Sequence, residues 1–96
     1  MANIEARVMQ TMTADGNSDQ ADCVGAVLFA ASGAFGGGTF TPYLLDGNNN
    51  EIPLTDGALT ATGTYRINLP LYSRNKVFGK LVGSAGASLN VWINGA

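Results

Sequence analysis

The acidic run Asp15-Gly16-Asn17-Ser18-Asp19 has the alternating oxygen-donor spacing that opens a calcium-binding loop. Hard cations need several oxygen ligands from a loop that wraps them, and this run supplies the first three. The continuation departs from the pattern. The sixth position, where a glycine makes the sharp turn, is Gln20, and the twelfth, where a glutamate closes the shell, is Ala26. A solvated turn is the better reading. Asp46-Gly47-Asn48-Asn49-Asn50-Glu51 reads the same way, because Asn and Asp side chains bond to nearby backbone and tolerate left-handed geometry. The run Gly33-Ala34-Phe35-Gly36-Gly37-Gly38 lacks the Lys-Ser/Thr ending and following helix that a phosphate loop requires. Nucleophilic catalysis has no imidazole base, since the chain contains no histidine, and its single cysteine, Cys23, opens an apolar run. The expectation is a protein that is not an enzyme, with no cofactor, no metal and no catalytic residue.

What remains is a surface to present. The chain has 96 residues, 46% of them hydrophobic and 12% charged, with thirteen glycines. That length predicts one domain over 1–96 with a modest core. A lone cysteine excludes a disulfide within the chain, so burial against other chains is the expected extra source of stability. All seven acids lie in residues 1–56 with one base, Arg7, while the other four bases, Arg66, Arg74, Lys76 and Lys80, come later. The two sets are expected to intermingle once strands of both halves pair. A net charge of −2 argues against nucleic acid as a partner. The longest apolar run, Cys23 to Ala31, is too short to span a bilayer, and Met1 to Glu5 has no signal-peptide character. Neither membrane nor export is expected, and synthesis is placed in a cytoplasm.

The elements that must carry this surface are strands. Ile4, Ala6 and Val8 alternate with Glu5 and Arg7, predicting a first strand, with 1–12 a possible strand arm. Residues 13–22 read as a loop and Cys23 to Ala31 as one buried strand. A turn is expected from Ser32-Gly33 through Gly38. Thr39 to Leu45 follows as a strand, placed at a sheet edge by Pro42, which has no N–H for a ladder. Asp46-Gly47-Asn48 predicts a hairpin turn, Ile52 to Leu54 a short strand, and Ala58 to Ala61 an extended piece. Later, Tyr65, Ile67 and Leu69 face inward against Thr64, Arg66 and Asn68. Lys76, Phe78 and Lys80 alternate with Val77, Gly79 and Leu81. Leu89, Val91 and Ile93 face inward with Trp92 opposite. Seven or eight short strands at this spacing predict an all-β fold, a small antiparallel β-sandwich of jelly-roll or immunoglobulin-like type. The candidate contact residues are Ile4, Arg7, Tyr43, Leu71, Tyr72, Arg74, Lys76 and Trp92, because aromatic, apolar and basic side chains left off the core are the usual interface anchors.

Three stretches in order carry a family resemblance. They are Ser32 to Thr41 with its triple glycine, Asp56-Gly57-Ala58-Leu59-Thr60-Ala61-Thr62-Gly63-Thr64-Tyr65 running on to Leu69-Pro70, and Lys80 to Ile93 with Gly83-Ser84-Ala85-Gly86-Ala87-Ser88-Leu89-Asn90-Val91-Trp92. From Gly33 to Ile93 the chain resembles small virion structural proteins of tailed bacteriophages, of the capsid decoration or cement type. The chain departs from that pattern before Cys23 and at Leu71-Tyr72-Ser73-Arg74. The resemblance implies a β-sandwich on the capsid surface, made in the host bacterial cytoplasm. Its partners would be the major capsid protein and two further copies in a homotrimer, stapling capsomers by many weak contacts. It implies no catalytic residues. The alternatives are a module that binds host-surface glycans by stacking Trp92 or Tyr72 on a sugar, and a minor tail or baseplate subunit.

Overall fold

The computed structural model describes residues 5–69 and 75–95, the side chains of 5–7 excepted. Among these, nine strands form two antiparallel sheets. They are β1 (Glu5–Met12), β2 (Gly16–Asn17), β3 (Ala21–Cys23), β4 (Ala26–Ala34), β5 (Thr39–Leu45), β6 (Glu51–Pro53), β7 (Gly63–Asn68), β8 (Asn75–Val82) and β9 (Ser88–Gly95). One sheet runs β1-β9-β4-β7. The other runs β2-β8-β5-β6, with β3 also paired to β8 beside β2. The pairing is nested. β5 pairs β6, β4 pairs β7, β3 and β2 pair β8, and β1 pairs β9, as if one long hairpin had been rolled until β9 met β4 and β8 met β5. That is the strand order of a jelly roll, so the all-β sandwich expected from the alternation is present and its topology is the jelly-roll one.

Period-two alternation makes the core. Val27, Phe29, Ala31, Leu89, Val91 and Ile93 enter it from the first sheet, and Cys23, Phe40, Val77 and Leu81 from the second. Tyr65, Ile67 and Leu69 pack on its open side, while Thr64, Arg66 and Asn68 are exposed, as their alternation predicts. Burial of this apolar row between the sheets is the main stabilising term.

The structure corrects the sequence reading in several places. Residues 5–12 form the first strand that the alternation predicts, lying along β9 at the sheet edge, and there the register skips Arg7 in a bulge between Ala6 and Val8. The polar stretch 13–22 is not all loop. Its β2 and the start of β3 line the edge of β8, and Ser18, though polar, is buried because it mimics a strand residue. Its N–H donates to the Gly79 carbonyl at 2.7 Å and its Oγ accepts from the Gly79 N–H at 2.9 Å. Cys23 to Ala31 is not one strand. Gly25, at φ 67°, bends the chain between sheets, so Cys23 and Phe29 enter the core from opposite layers. β4 then runs through Ser32-Gly33 to Ala34 before the turn. Gly33 sits at φ 109°, where a Cβ would lie 2.6 Å from the Ser88 carbonyl oxygen of β9. Ala58 to Ala61 contributes only a bridge from Leu59 to Phe40, after a short 3-10 turn at Thr55–Gly57.

Pro42 is not at a sheet edge either, since β5 lies between β8 and β6. Its ring is tolerated because its missing N–H falls on the β6 side. Phe40 exchanges both bonds with Leu59 on that side, and alternation sends the backbone of residues 40, 42 and 44 the same way. The Leu54 N–H donates to the Pro42 carbonyl at 2.9 Å, and there the β5–β6 ladder stops for want of a return donor.

A close cross-strand approach in the second sheet leaves no room at Gly79. A Cβ added at Gly79 would overlap the ring of Phe40, which is fully buried. Gly79→Ala is therefore expected to destabilise by about 1–3 kcal/mol through overpacking. Phe40→Leu in the same chain should recover part of that loss through the coupling of adjacent sites. Urea denaturation of the two single variants and the double variant measures it. A Gly79→Ala protein as stable as the parent would show that the ring has room to move.

Candidate interaction surface

Each sheet keeps one face for the core and turns the other outward, so the candidate surfaces are the two outer faces. The register assigns their residues. On the β1-β9-β4-β7 sheet, Met9 lies opposite Trp92 and Trp92 opposite Ala30. Thr11 lies opposite Asn90, Asn90 opposite Ser32, and Leu28 between Asn94 and Arg66. Met9 is 72% exposed and Trp92 45% exposed. A bulky indole beside the small Ala30 leaves a trough. An open groove of about 420 Å³ runs there, lined by Met9, Thr11, Ala30, Ser32, Asn90 and Trp92. Its rim is amide and hydroxyl. The Thr11 hydroxyl donates to Asn90 Oδ1 at 3.1 Å, which fixes the amide beside the indole. Among the described side chains the one charge on this face is Arg66.

The other outer face is built differently. Tyr43 on β5 stacks on Phe78 of β8, ring centroids 5.2 Å apart and 15° from parallel. Phe78 is 1% exposed although it points away from the core. Lys80 sits 4.7 Å from the Tyr43 ring centroid and bonds Glu51 of β6 at 2.8 Å. The Glu51 hydrogen bond raises the Lys80 pKa above its ordinary value. Lys76 is exposed, in register with Asp22 of β3. Acids from the first half and bases from the second thus meet on this face, as the interleaving of strands requires.

The eight candidate contact residues do not form one patch. Trp92 lies on one outer face, and Tyr43 and Lys76 lie on the other, because β9 belongs to one sheet and β5 and β8 to its partner. Tyr43 is already engaged by Phe78 and Lys80, so less of it is left to contact another molecule. Ile4, Leu71, Tyr72 and Arg74 lie outside the described residues, and so does the side chain of Arg7. Met9 was not among the candidates, yet it is the most exposed of the large apolar side chains described. Carrying the alternation of the first strand past Val8, to Gln10 and Met12 inward and Met9 and Thr11 outward, would have found it.

The acidic runs serve turns. Both carboxylate oxygens of Asp15 are used across the molecule. Oδ2 accepts from the Gly83 N–H at 2.9 Å, and Oδ1 accepts from the Ser84 N–H at 2.8 Å and from the Ser84 hydroxyl. These bonds, that of the Ser84 hydroxyl first, hold its pKa below the ordinary 3.8. Asp46 accepts from the Asn50 and Asn48 N–H groups and from the Asn50 amide, which lowers its pKa likewise and closes the β5–β6 turn, with Asn49 at φ 63°.

Because the folded Asp15 pKa is depressed, its contribution to stability is complete above the unfolded carboxylate value. It is lost as pH falls through the folded one. Asp15→Asn should melt a few degrees lower than the parent at neutral pH. The two melting temperatures should converge in acid below the ordinary carboxylate range. Thermal melts across pH test this, and Asp46, present in both proteins, cancels. A gap that stays constant into acid would mean that the bonds to Gly83 and Ser84 do not depend on the charge.

Comparison with protein-family models, with curated proteins and with solved structures finds no match for this chain.

Proposed function

We propose that this protein is a structural docking subunit, and that what it decorates is the capsid of a tailed bacteriophage. The observation that carries the docking reading is the pairing of Trp92 and Met9, both well exposed, on a sheet face with a single described charge. Exposed apolar anchors ringed by neutral amides and hydroxyls are what protein interfaces bury at their centres, and Trp is the most favoured of such anchors. The capsid reading rests on the resemblance of Ser32–Thr41, Asp56–Pro70 and Lys80–Ile93 to phage decoration proteins. A jelly roll is compatible with it but is equally used by lectins, so the fold alone does not choose.

In this reading the β1-β9-β4-β7 face lies against the shell, with Trp92 seated in a cleft between capsid subunits and Asn90 and Thr11 bonding at its rim. Many copies each contribute a modest contact, and the shell gains stability from the sum. Adding the purified chain back to particles that lack it tests this by co-sedimentation and cryo-EM. Trp92→Ala should weaken binding by about 2 kcal/mol, roughly thirtyfold, as an interface anchor does. Equal binding of the variant, or density for only a few copies at the tail, would overturn the proposal.

A second reading is favoured by one observation, the amide and hydroxyl rim beside the indole. That combination suits a neutral sugar, which stacks its apolar face on an aromatic ring and hydrogen-bonds at the edge. Binding of soluble glycans that Trp92→Ala abolishes, with no effect on particle stability, would select it.

A further inference from the structure

We propose that the outer edge of β7 pairs with the β7 edge of a second copy, antiparallel and about a two-fold axis, joining two four-stranded sheets into one of eight strands. Sheet edges are guarded against stray pairing. An unpaired edge offers a row of N–H and C=O groups to any extended chain, and proteins blunt it with short strands, proline, bulges or covering segments. Among the described residues, four of the five edge strands carry such a device. β2 and β3 are two and three residues long. β6 is three residues long and ends in Pro53. β1 has its bulge between Ala6 and Val8, and its Gln10 side chain accepts the Asp19 N–H at 2.7 Å, tying the next segment across it. β7 carries one charged side chain, Arg66, which is itself a guard, but none of these backbone devices. It is six residues, Gly63 to Asn68, in unbroken register with β4 from Ala26↔Asn68 to Ala31↔Gly63. It contains no proline, and no described strand pairs with its outer side.

The geometry also states which groups are offered. The Leu69 N–H donates to the Gly25 carbonyl at 2.7 Å, continuing the register toward β4. Alternation then turns the backbone of Ile67 and Tyr65 to β4, and that of Thr64, Arg66 and Asn68 to the open edge. A two-fold axis normal to the sheet keeps inward residues inward only if some residue faces its own copy. Centring on Arg66 sets two guanidinium groups opposite each other, which is unfavourable. Centring on Tyr65 sets Ile67 against Gly63, which has no side chain to pack. Centring on Ile67 sets Arg66 against Asn68 of the second copy, Ile67 against Ile67 and Tyr65 against Leu69. Each apolar side chain of the half-buried inner row then meets another, and Arg66 and Asn68 exchange backbone bonds in both copies. The self-complementary row selects a second copy as the occupant. It gives a two-fold pair, not the three-fold ring that the resemblance implies, and it does not rest on the capsid reading.

The test is sedimentation of the full chain over a concentration series, with amide hydrogen exchange read residue by residue at the two ends of the series. A dimer should form, and the Arg66 and Asn68 amides should slow as it does. The Tyr65 and Ile67 amides, already bonded to β4, should stay protected throughout. Arg66→Pro removes an edge donor without touching the β4 ladder. It should keep the far-UV spectrum of the parent and lose the dimer. Should that variant fail to fold, the concentration dependence of the parent's edge amides decides alone. A monomer at every concentration, a trimer, or a dimer in which the Arg66 and Asn68 amides stay unprotected would overturn the proposal.

Discussion

The fold-back at Asp46–Asn50 is the constraint from which the remaining pairings are ordered. Its carboxylate collects two backbone N–H groups and a side-chain amide, and the Asp46 N–H closes the loop on the Asn50 carbonyl at 3.1 Å. Every other antiparallel pair is nested outside it, from β4 with β7 to β1 with β9. Closing an inner loop shortens the effective loop that the next pair must close, so a firm innermost turn lowers the entropy cost of each later one. The rolling step then brings β9 to β4 and β8 to β5. It demands positions where the chain can change layers, and Gly25 at φ 67° is one of them.

Rolling also sets how close the layers and strands must come. Phe40 lies over Gly79 with no space for a methyl group, and Ser18 occupies a strand position beside that glycine, with its hydroxyl standing in for a carbonyl acceptor. The two features are linked. A side chain at 79 would push Phe40 out of the core, and Ser18 is what keeps the Gly79 N–H satisfied where regular β2 pairing has ended. The Asp15 clamp works at longer range on the same edge, fixing the turn after β8 to the segment that leaves β1.

How much of this was legible in the sequence follows from what each signal depends on. Alternation depends only on a strand having two faces, so it reads Tyr65-Ile67-Leu69 and Leu89-Val91-Ile93 as inward and Trp92 as outward, and the structure agrees, with the first three half-buried beside the core. The break at Gly25 was not legible, because Cys23 and Phe29 are apolar for the same reason in either sheet. Pro42 misled because the rule about proline concerns one side of a strand, and the sequence does not say which side a neighbour takes. Phe78 reads as an exposed position in the alternation, yet it is buried by Tyr43 stacking across from it, a pairing fixed only by register. The contact residues were the least legible. Aromatic and basic types mark candidates, but the split of Trp92 from Tyr43 and Lys76 is decided by which sheet each strand joins.

The division between the two outer faces is where fold and function meet. One face engages part of its charge within the molecule. Lys80 takes Glu51 and covers Tyr43, and Phe78 is sealed beneath. Docking there would have to desolvate the Lys80–Glu51 pair, which sets a cost against burying the exposed Val82 of the same face. The opposite face holds a half-exposed indole and a largely exposed thioether, with small side chains between strands and amides at the rim. Desolvating it costs little and buries apolar surface, so a partner gains from contact there. Surface of this kind persists in a chain this small only if its exposure is tolerable in the free state. The neutral polar rim provides that tolerance, because it keeps water at the edges of the groove until a fitting partner displaces it.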